Sequence, residues 1–233
     1  MHKTSLSKTS LSMLIAGARQ WRCALLVCSG ILLGSTAGAD PALVDWNEST
    51  QFDDWYTQGA EVRLQRWHDL IANGQDLDDT EKLRQVNEFF NGARFRSDED
   101  LYGVADYWAT PTEFIEHDAG DCEDFSIAKY FTLKAMGMDT AKLRITYVKS
   151  LTLNQAHMVL AYYPTPDAQP LILDNLNQRI QPAGDRRDLR PVYSFNAETL
   201  WLSRTRNEQI QTGHPGQLAH WREMVARMDP VLR

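Results

Sequence analysis

Cysteine is nearly absent from this chain. Of three in 233 residues, Cys23 and Cys28 fall in an apolar N-terminal stretch, which leaves Cys122 alone in the remainder. A single thiol excludes a disulfide framework and a metal site built from cysteines. It is then either a small buried residue or a nucleophile. Long apolar runs are missing too. The stretch from Cys23 to Leu33 is interrupted by Ser29 and Gly30 and followed by Gly34, Ser35 and Thr36. That falls short of the roughly 20 apolar residues that span a bilayer. There is no excess of positive charge: 24 Lys and Arg face 31 Asp and Glu, for a formal net charge of −7. Nucleic acid, whose phosphates demand a basic face, is thereby excluded as a partner. No repeat, low-complexity tract or Gly/Ser linker divides the sequence, so one domain is expected.

The N-terminus carries Lys3, Lys8, Arg19 and Arg22 without an acid, then the apolar stretch, then Ala37-Gly38-Ala39 before Asp40. This order predicts a cleavable secretion signal over 1–39 and a mature domain over 40–233, exported and not itself membrane-spanning. Lipid anchoring through Cys28 is the alternative, against which bulky Val27 argues. Losing four basic residues and no acid takes the formal charge from −7 to −11. An exported protein without disulfides fits a bacterial envelope, so a periplasmic location is expected.

Apolar residues at Trp55, Val62, Leu64, Trp67, Leu70 and Ile71 predict a helix from Trp55 to Ala72, ending near Asn73-Gly74. A second helix is expected from Thr80 to Asn91, with Leu83, Val86, Phe89 and Phe90 inward. Thr110-Pro111-Thr112-Glu113 has the form of a capping box with Pro at the first helical position, so a short helix should follow. A third substantial helix is expected from Cys122 to Met136, closed by Gly137. The period then changes, and 143–148, 156–163 and 171–174 read as strands. Helices first and strands afterwards predict an α+β fold, with the helix that bears Cys122 packed on an antiparallel sheet.

A catalytic thiol needs a base and a group to orient that base. Five histidines follow the N-terminal stretch, and of these His157 lies on an expected strand. If its strand forms a hairpin with the strand carrying Asp174, His157 lies opposite Asp174 and Ala161 opposite Pro170, with an eight-residue connection between them. Opposed residues share a face at about 5 Å between Cβ atoms, so Asp174 accepts from one ring nitrogen while the other faces Cys122. Taken singly, His157 is also readable as a core histidine and Asp174 as a turn residue.

The first turn of a helix carries partial positive charge, which favours a thiolate and a developing oxyanion. Asp118, Asp121, Glu123 and Asp124 crowd the same turn and oppose a thiolate. They are read in two ways: as acids complementing the helix dipole, or as oxygen ligands of a hard cation such as Ca²⁺. Their spacing is not that of an EF-hand loop.

With these residues in view, the sequence resembles the LapG family of bacterial transglutaminase-like periplasmic cysteine proteases. The likeness runs through Lys82-Leu83, Val86-Asn87-Glu88-Phe89-Phe90-Asn91 and Asp106-Tyr107-Trp108-Ala109-Thr110-Pro111. It continues through Gly120-Asp121-Cys122-Glu123-Asp124-Phe125, Ala156-His157-Met158-Val159-Leu160, Leu173-Asp174-Asn175 and Pro191-Val192-Tyr193-Ser194-Phe195-Asn196. The resemblance implies a transglutaminase-like (papain-like) core, a catalytic triad of Cys122, His157 and Asp174, and Ca²⁺ at Asp121, Glu123 and Asp124. It further implies cleavage of a large surface adhesin near its N-terminus at a di-alanine site, releasing it and dispersing biofilm. Control would come from an inner-membrane LapD-type cyclic-di-GMP receptor that sequesters the protease. Two other readings use the same residues: a transglutaminase passing the acyl group to an amine, and a non-catalytic calcium-dependent receptor-binding protein. Trp108 is either core or the wall of a narrow cleft.

Overall fold

The computed structural model describes residues 46–203 and 209–232, with side chains from residue 59 onward. The expected secretion signal, its cleavage site, Cys23 and Cys28 lie outside the described residues. The chain divides into two compact units, 1–51 and 52–233. Of the first, only the opening of a helix is described; the elements beyond Gln51 belong to the second. Among the described residues, no helix is long and apolar enough to cross a membrane.

Helix α1 (Trp46–Asn73) begins earlier than the apolar spacing indicates and ends where expected. Gly74 follows it because space there is short: a Cβ would sit 1.9 Å from the Met136 methyl and 2.9 Å from the Leu70 carbonyl oxygen. Helix α2 (Asp79–Asn91) is capped by Asp78, whose side chain accepts from the Glu81 amide, and buries Lys82, Leu83, Val86, Asn87 and Phe90. Phe89, expected inward, is only half-buried. Strand β1 (Arg94–Phe95) and helix α3 (Asp98–Tyr102) lead to helix α4 (Pro111–His117), which starts with the Thr110/Glu113 capping box. Strand β2 (Ala119–Gly120) pairs in parallel with β1 and runs directly into helix α5 (Cys122–Ala135). Gly137, at φ 79°, ends α5 as the sequence indicates.

Helix α5 is the central element of the core. It buries every residue from 124 to 133. The Trp67 indole donates to Thr132 Oγ1 at 2.8 Å and ties α1 to it. Its other side packs on the antiparallel sheet of strands β3 (Leu143–Ser150), β4 (Gln155–Tyr162), β5 (Leu171–Leu173), β6 (Gln181–Pro182), β7 (Leu189–Phe195), β8 (Leu200–Ser203) and β9 (Gln209–Gly213). The sheet order is β6-β5-β4-β3-β7-β8-β9. Leu143, Ile145, Met158, Leu160, Leu173 and Phe195 join α5 in the main core, while Val148, Val159, Ala161, Ile172 and Leu189 form a smaller second cluster. The fold is therefore α+β, with the Cys122 helix on an antiparallel sheet. Helix α6 (Ala219–Arg227) closes the chain and buries Trp221 and Met224.

One detail of the expected hairpin is wrong. Leu160 pairs with Leu173, Ala161 with Ile172 and Tyr162 with Leu171, so the register is displaced by two residues from the expected one. Alternation of apolar residues specifies register only to within two positions, because a two-residue slip keeps every side chain on its face. Pro170, expected opposite Ala161, has no N–H for the ladder and stays outside it, its carbonyl accepting from the Ala183 amide at 2.9 Å.

Candidate active site

The run Gly120-Asp121-Cys122-Glu123-Asp124 forms a tight corner between β2 and α5. Asp124 folds back so that its Oδ2 accepts from the Asp121 amide at 3.2 Å, and its Oδ1 from the Ala109 amide at 2.7 Å. Only glycine fits at 120: a Cβ there would lie 2.6 Å from Asp124 Oδ2 and 2.8 Å from the Phe114 ring. The corner places Cys122 at the first position of the helix, as the sequence indicates, with a free and half-buried thiol.

His157 sits in β4 beyond the short ladder to β5, which covers only 160–162 and leaves this end of the strand's edge open. Asp174 follows β5 by one residue. Despite the shifted register, His157 Nε2 lies 2.8 Å from Asp174 Oδ1, both groups being buried. Asp174 is held on every side. Oδ2 accepts from Arg186 at 2.7 Å, Oδ1 also accepts from the Leu176 amide at 2.9 Å, and its carbonyl accepts from Asn91 at 2.9 Å. Cys122 reaches the same strand: the backbone amide of Met158, next to His157, faces the sulfur. The hydrogen bond made by the thiol itself goes to Glu123 Oε2, at 3.0 Å, and not to His157.

Burial alone would raise Asp174, but hydrogen bonds from His157, Arg186 and the Leu176 amide outweigh it and hold the carboxyl at about 2. Because this is below the value in the unfolded chain, ionised Asp174 stabilises the fold by about 2 kcal/mol above that ordinary value. The contribution is lost as pH falls through about 2. Urea unfolding on acidification from pH ~4 to pH ~2 should show a falling midpoint, with a shallower fall in Asp174→Asn.

The acids beside Cys122 gather more partners than the sequence indicates. Asp121, Glu123 and Asp124 are joined by Asp98 and Asp106; in three overlapping groups, ligand atoms lie within 4.8 Å of one another. Asp98 is buried, its Oδ2 accepting from the Tyr107 amide at 2.6 Å. Asp98 Oδ1 and Asp121 Oδ1 are buried without a hydrogen-bond partner. Burial and the neighbouring carboxylates push Asp98 up to about 7 and Asp121 up to about 12, and raise Asp124 strongly. Burial and the charges of Glu123 and Asp121 likewise raise the Cys122 thiol. Unpartnered buried carboxylate oxygens in so acidic a pocket fit a hard cation with oxygen ligands. Asp124, with both oxygens already engaged by amides, serves first to shape the corner.

Asp98 and Asp106 escape sequence reasoning because they precede Cys122 by 24 and 16 positions and carry no local pattern. Arg186 is also unexpected, since it lies between Asp185 and Arg187 with no local pattern to single it out. Trp108 is core: 7% exposed, it stacks on Phe195 at 5.9 Å and on His220 at 5.8 Å. The segment that carries Asp106 and Trp108 is gripped by the last helix. Arg227 donates to the Trp108 carbonyl at 2.6 Å and to Glu113 at 3.2 Å, and lies over the Tyr107 ring.

Comparison with known proteins gives the same picture. The family model of the bacterial transglutaminase-like cysteine proteinases matches residues 56–188. This chain belongs to that family. Among solved structures, EGTA-treated LapG of Legionella pneumophila is 44% identical over 80% of this chain and 99% of its own, with a TM-score of 0.68. Calcium-bound LapG of the same organism is 44% identical over 78% of this chain and 98% of its own, with a TM-score of 0.66. A search of curated proteins finds no match. As a member of this family the chain is a transglutaminase-like cysteine protease, with the fold expected from its sequence.

Proposed function

We propose that this protein is a calcium-dependent periplasmic endopeptidase with Cys122, His157 and Asp174 as its triad. In this reading it cuts a large surface adhesin near the N-terminus, at a di-alanine site, and so promotes biofilm dispersal. The observation that carries the enzymatic part is the buried His157–Asp174 pair beside a helix-start thiol, the sulfur facing the amide of the next residue on the histidine strand. A protein that only bound calcium or a receptor would have no need of that pair.

His157 takes the proton from Cys122 Sγ, and the thiolate attacks the peptide carbonyl carbon. The tetrahedral oxyanion forms at the first turn of α5, where the amide of Cys122 donates to it. The C–N bond then breaks, His157 gives its proton to the departing amine, and a thioester remains on Cys122. Water, deprotonated by His157, attacks the thioester; the acid leaves and the thiol is restored. Asp174 fixes the histidine tautomer and steadies the imidazolium, and Arg186 keeps Asp174 ionised while it does so. Asp98, Asp106, Asp121 and Glu123 would hold the cation, with Asp124 behind them. When bound, Ca²⁺ neutralises the carboxylates that otherwise work against a thiolate at Cys122.

The secretion signal read in the sequence supports the periplasmic assignment, and the family likeness supports control by a LapD-type cyclic-di-GMP receptor. Product analysis tests the reaction. Purified protein, Ca²⁺ and the adhesin's N-terminal region should yield fragments with a new N-terminus at the di-alanine site. A cross-linked adduct without cleavage would establish transfer to an amine instead. Intact adhesin would leave only a binding role.

A further inference from the structure

The Val86–Asn91 run takes no part in the chemistry above, yet two of its side chains link a buried cation to the segment that begins at Asp174. Lys129 lies seven residues after Cys122, two turns along α5 and therefore on the same helix face. It is 1% exposed. Its ammonium donates to Asn87 Oδ1 at 2.9 Å and to Asn91 Oδ1 at 2.7 Å, both on α2. A charged ammonium can only donate, so in that state the two amides turn their oxygens toward it and their NH₂ groups to the other side. Those NH₂ groups then meet backbone carbonyls of the segment after β5: Asn91 Nδ2 donates to Asp174 O at 2.9 Å, and Asn87 Nδ2 to Gln178 O at 2.9 Å.

As a stability device this arrangement is poor. A buried ammonium whose hydrogen bonds go to neutral amides costs more than a methionine of similar volume would. Burial holds Lys129 down at about 7, against the favourable charge of Asp174. What the lysine supplies is direction. Without it either amide could flip, and a flipped Asn91 would present oxygen to the Asp174 carbonyl and push the segment away.

We infer that Lys129 is a positioning residue: by orienting Asn87 and Asn91 it fixes the 174–178 segment and thereby sets Asp174 against His157. The inference rests on the Cys122–His157–Asp174 reading. With Ca²⁺ present and a di-alanine peptide as substrate, Lys129→Met should lower kcat about 10- to 100-fold while KM stays within about twofold, as for a small misplacement of a catalytic group. The proton that His157 shares with Asp174 should lose its downfield NMR signal in the same variant, while thermal stability is held or raised, which a merely structural role would not produce. Asn91→Ala, which removes the amide on Asp174 together with one acceptor of Lys129 while alanine keeps the end of α2 helical, should reproduce the kinetic and NMR changes and carries the test if Lys129→Met fails to fold. Parent-like kcat and an unchanged His157 signal in both foldable variants, alongside an inactive His157→Ala, would overturn the positioning role alone. An active His157→Ala would remove the triad reading and this role with it.

Discussion

Cys122→Ala should abolish cleavage of the di-alanine peptide, with kcat/KM falling by at least about 10⁴-fold. Loss on this scale is expected because the sulfur is the atom that bonds to substrate; neither His157 nor the first-turn amides can replace it. The substitution is otherwise mild. Alanine keeps the Cβ, favours the helix, and leaves the hydrogen bonds of Asp121, Asp124 and Ala109 in place. The variant should therefore unfold within about 1 kcal/mol of the parent and bind Ca²⁺ at least as tightly. Steady-state kinetics, thermal unfolding and a calcium titration on one preparation separate these effects. Retained cleavage would refute the thiol mechanism.

Chelation with EGTA should stop cleavage, and added Ca²⁺ should restore it. Without the ion, burial and the neighbouring carboxylates raise Asp98, Asp121 and Asp124, and Glu123 takes the hydrogen bond of the Cys122 thiol. Burial, followed by the charges of Glu123 and Asp121, raises the thiol as well and works against the thiolate needed for attack. Calcium at 100 times its dissociation constant should also stabilise the fold by about 2.7 kcal/mol, a shift visible in thermal unfolding. Asp98→Asn separates ligand from bystander: it removes a charge 24 positions from the thiol and should weaken calcium binding at least about tenfold. Full activity in thoroughly chelated buffer would overturn the dependence on the ion.

Much of this arrangement can be read from sequence because local physics dictates it. The Thr110/Glu113 box, the stop at Gly137 and the period change after Met138 each mark a boundary with a definite cause. The pairing of His157 with Asp174 survives a wrong register because a two-residue slip preserves the face, and Asp174 lies just past the strand, where its side chain reaches back. Strand β7 is not legible as a strand, since Pro191 interrupts its pattern; the structure accommodates it where the pairing with β3 shifts register between Tyr147 and Val148. Asp98 and Lys129 are charged residues whose burial depends wholly on partners distant in sequence, while Asp106 is exposed and joins the site only because the fold brings it beside Glu123. An amphipathic pattern assigns Asp98 and Lys129 to the surface, so their roles emerge only from the fold.

The grip of Arg227 on the Trp108 carbonyl joins positions 119 residues apart. Closing so long a loop is entropically costly, and such contacts form late, after the local helices and hairpins are in place. The rim that bears Asp106 is thus secured from far downstream in the sequence, and a chain cut before Ala219 would lose that hold. The acidic rim therefore depends on the docking of α6, although no residue of that helix belongs to the triad.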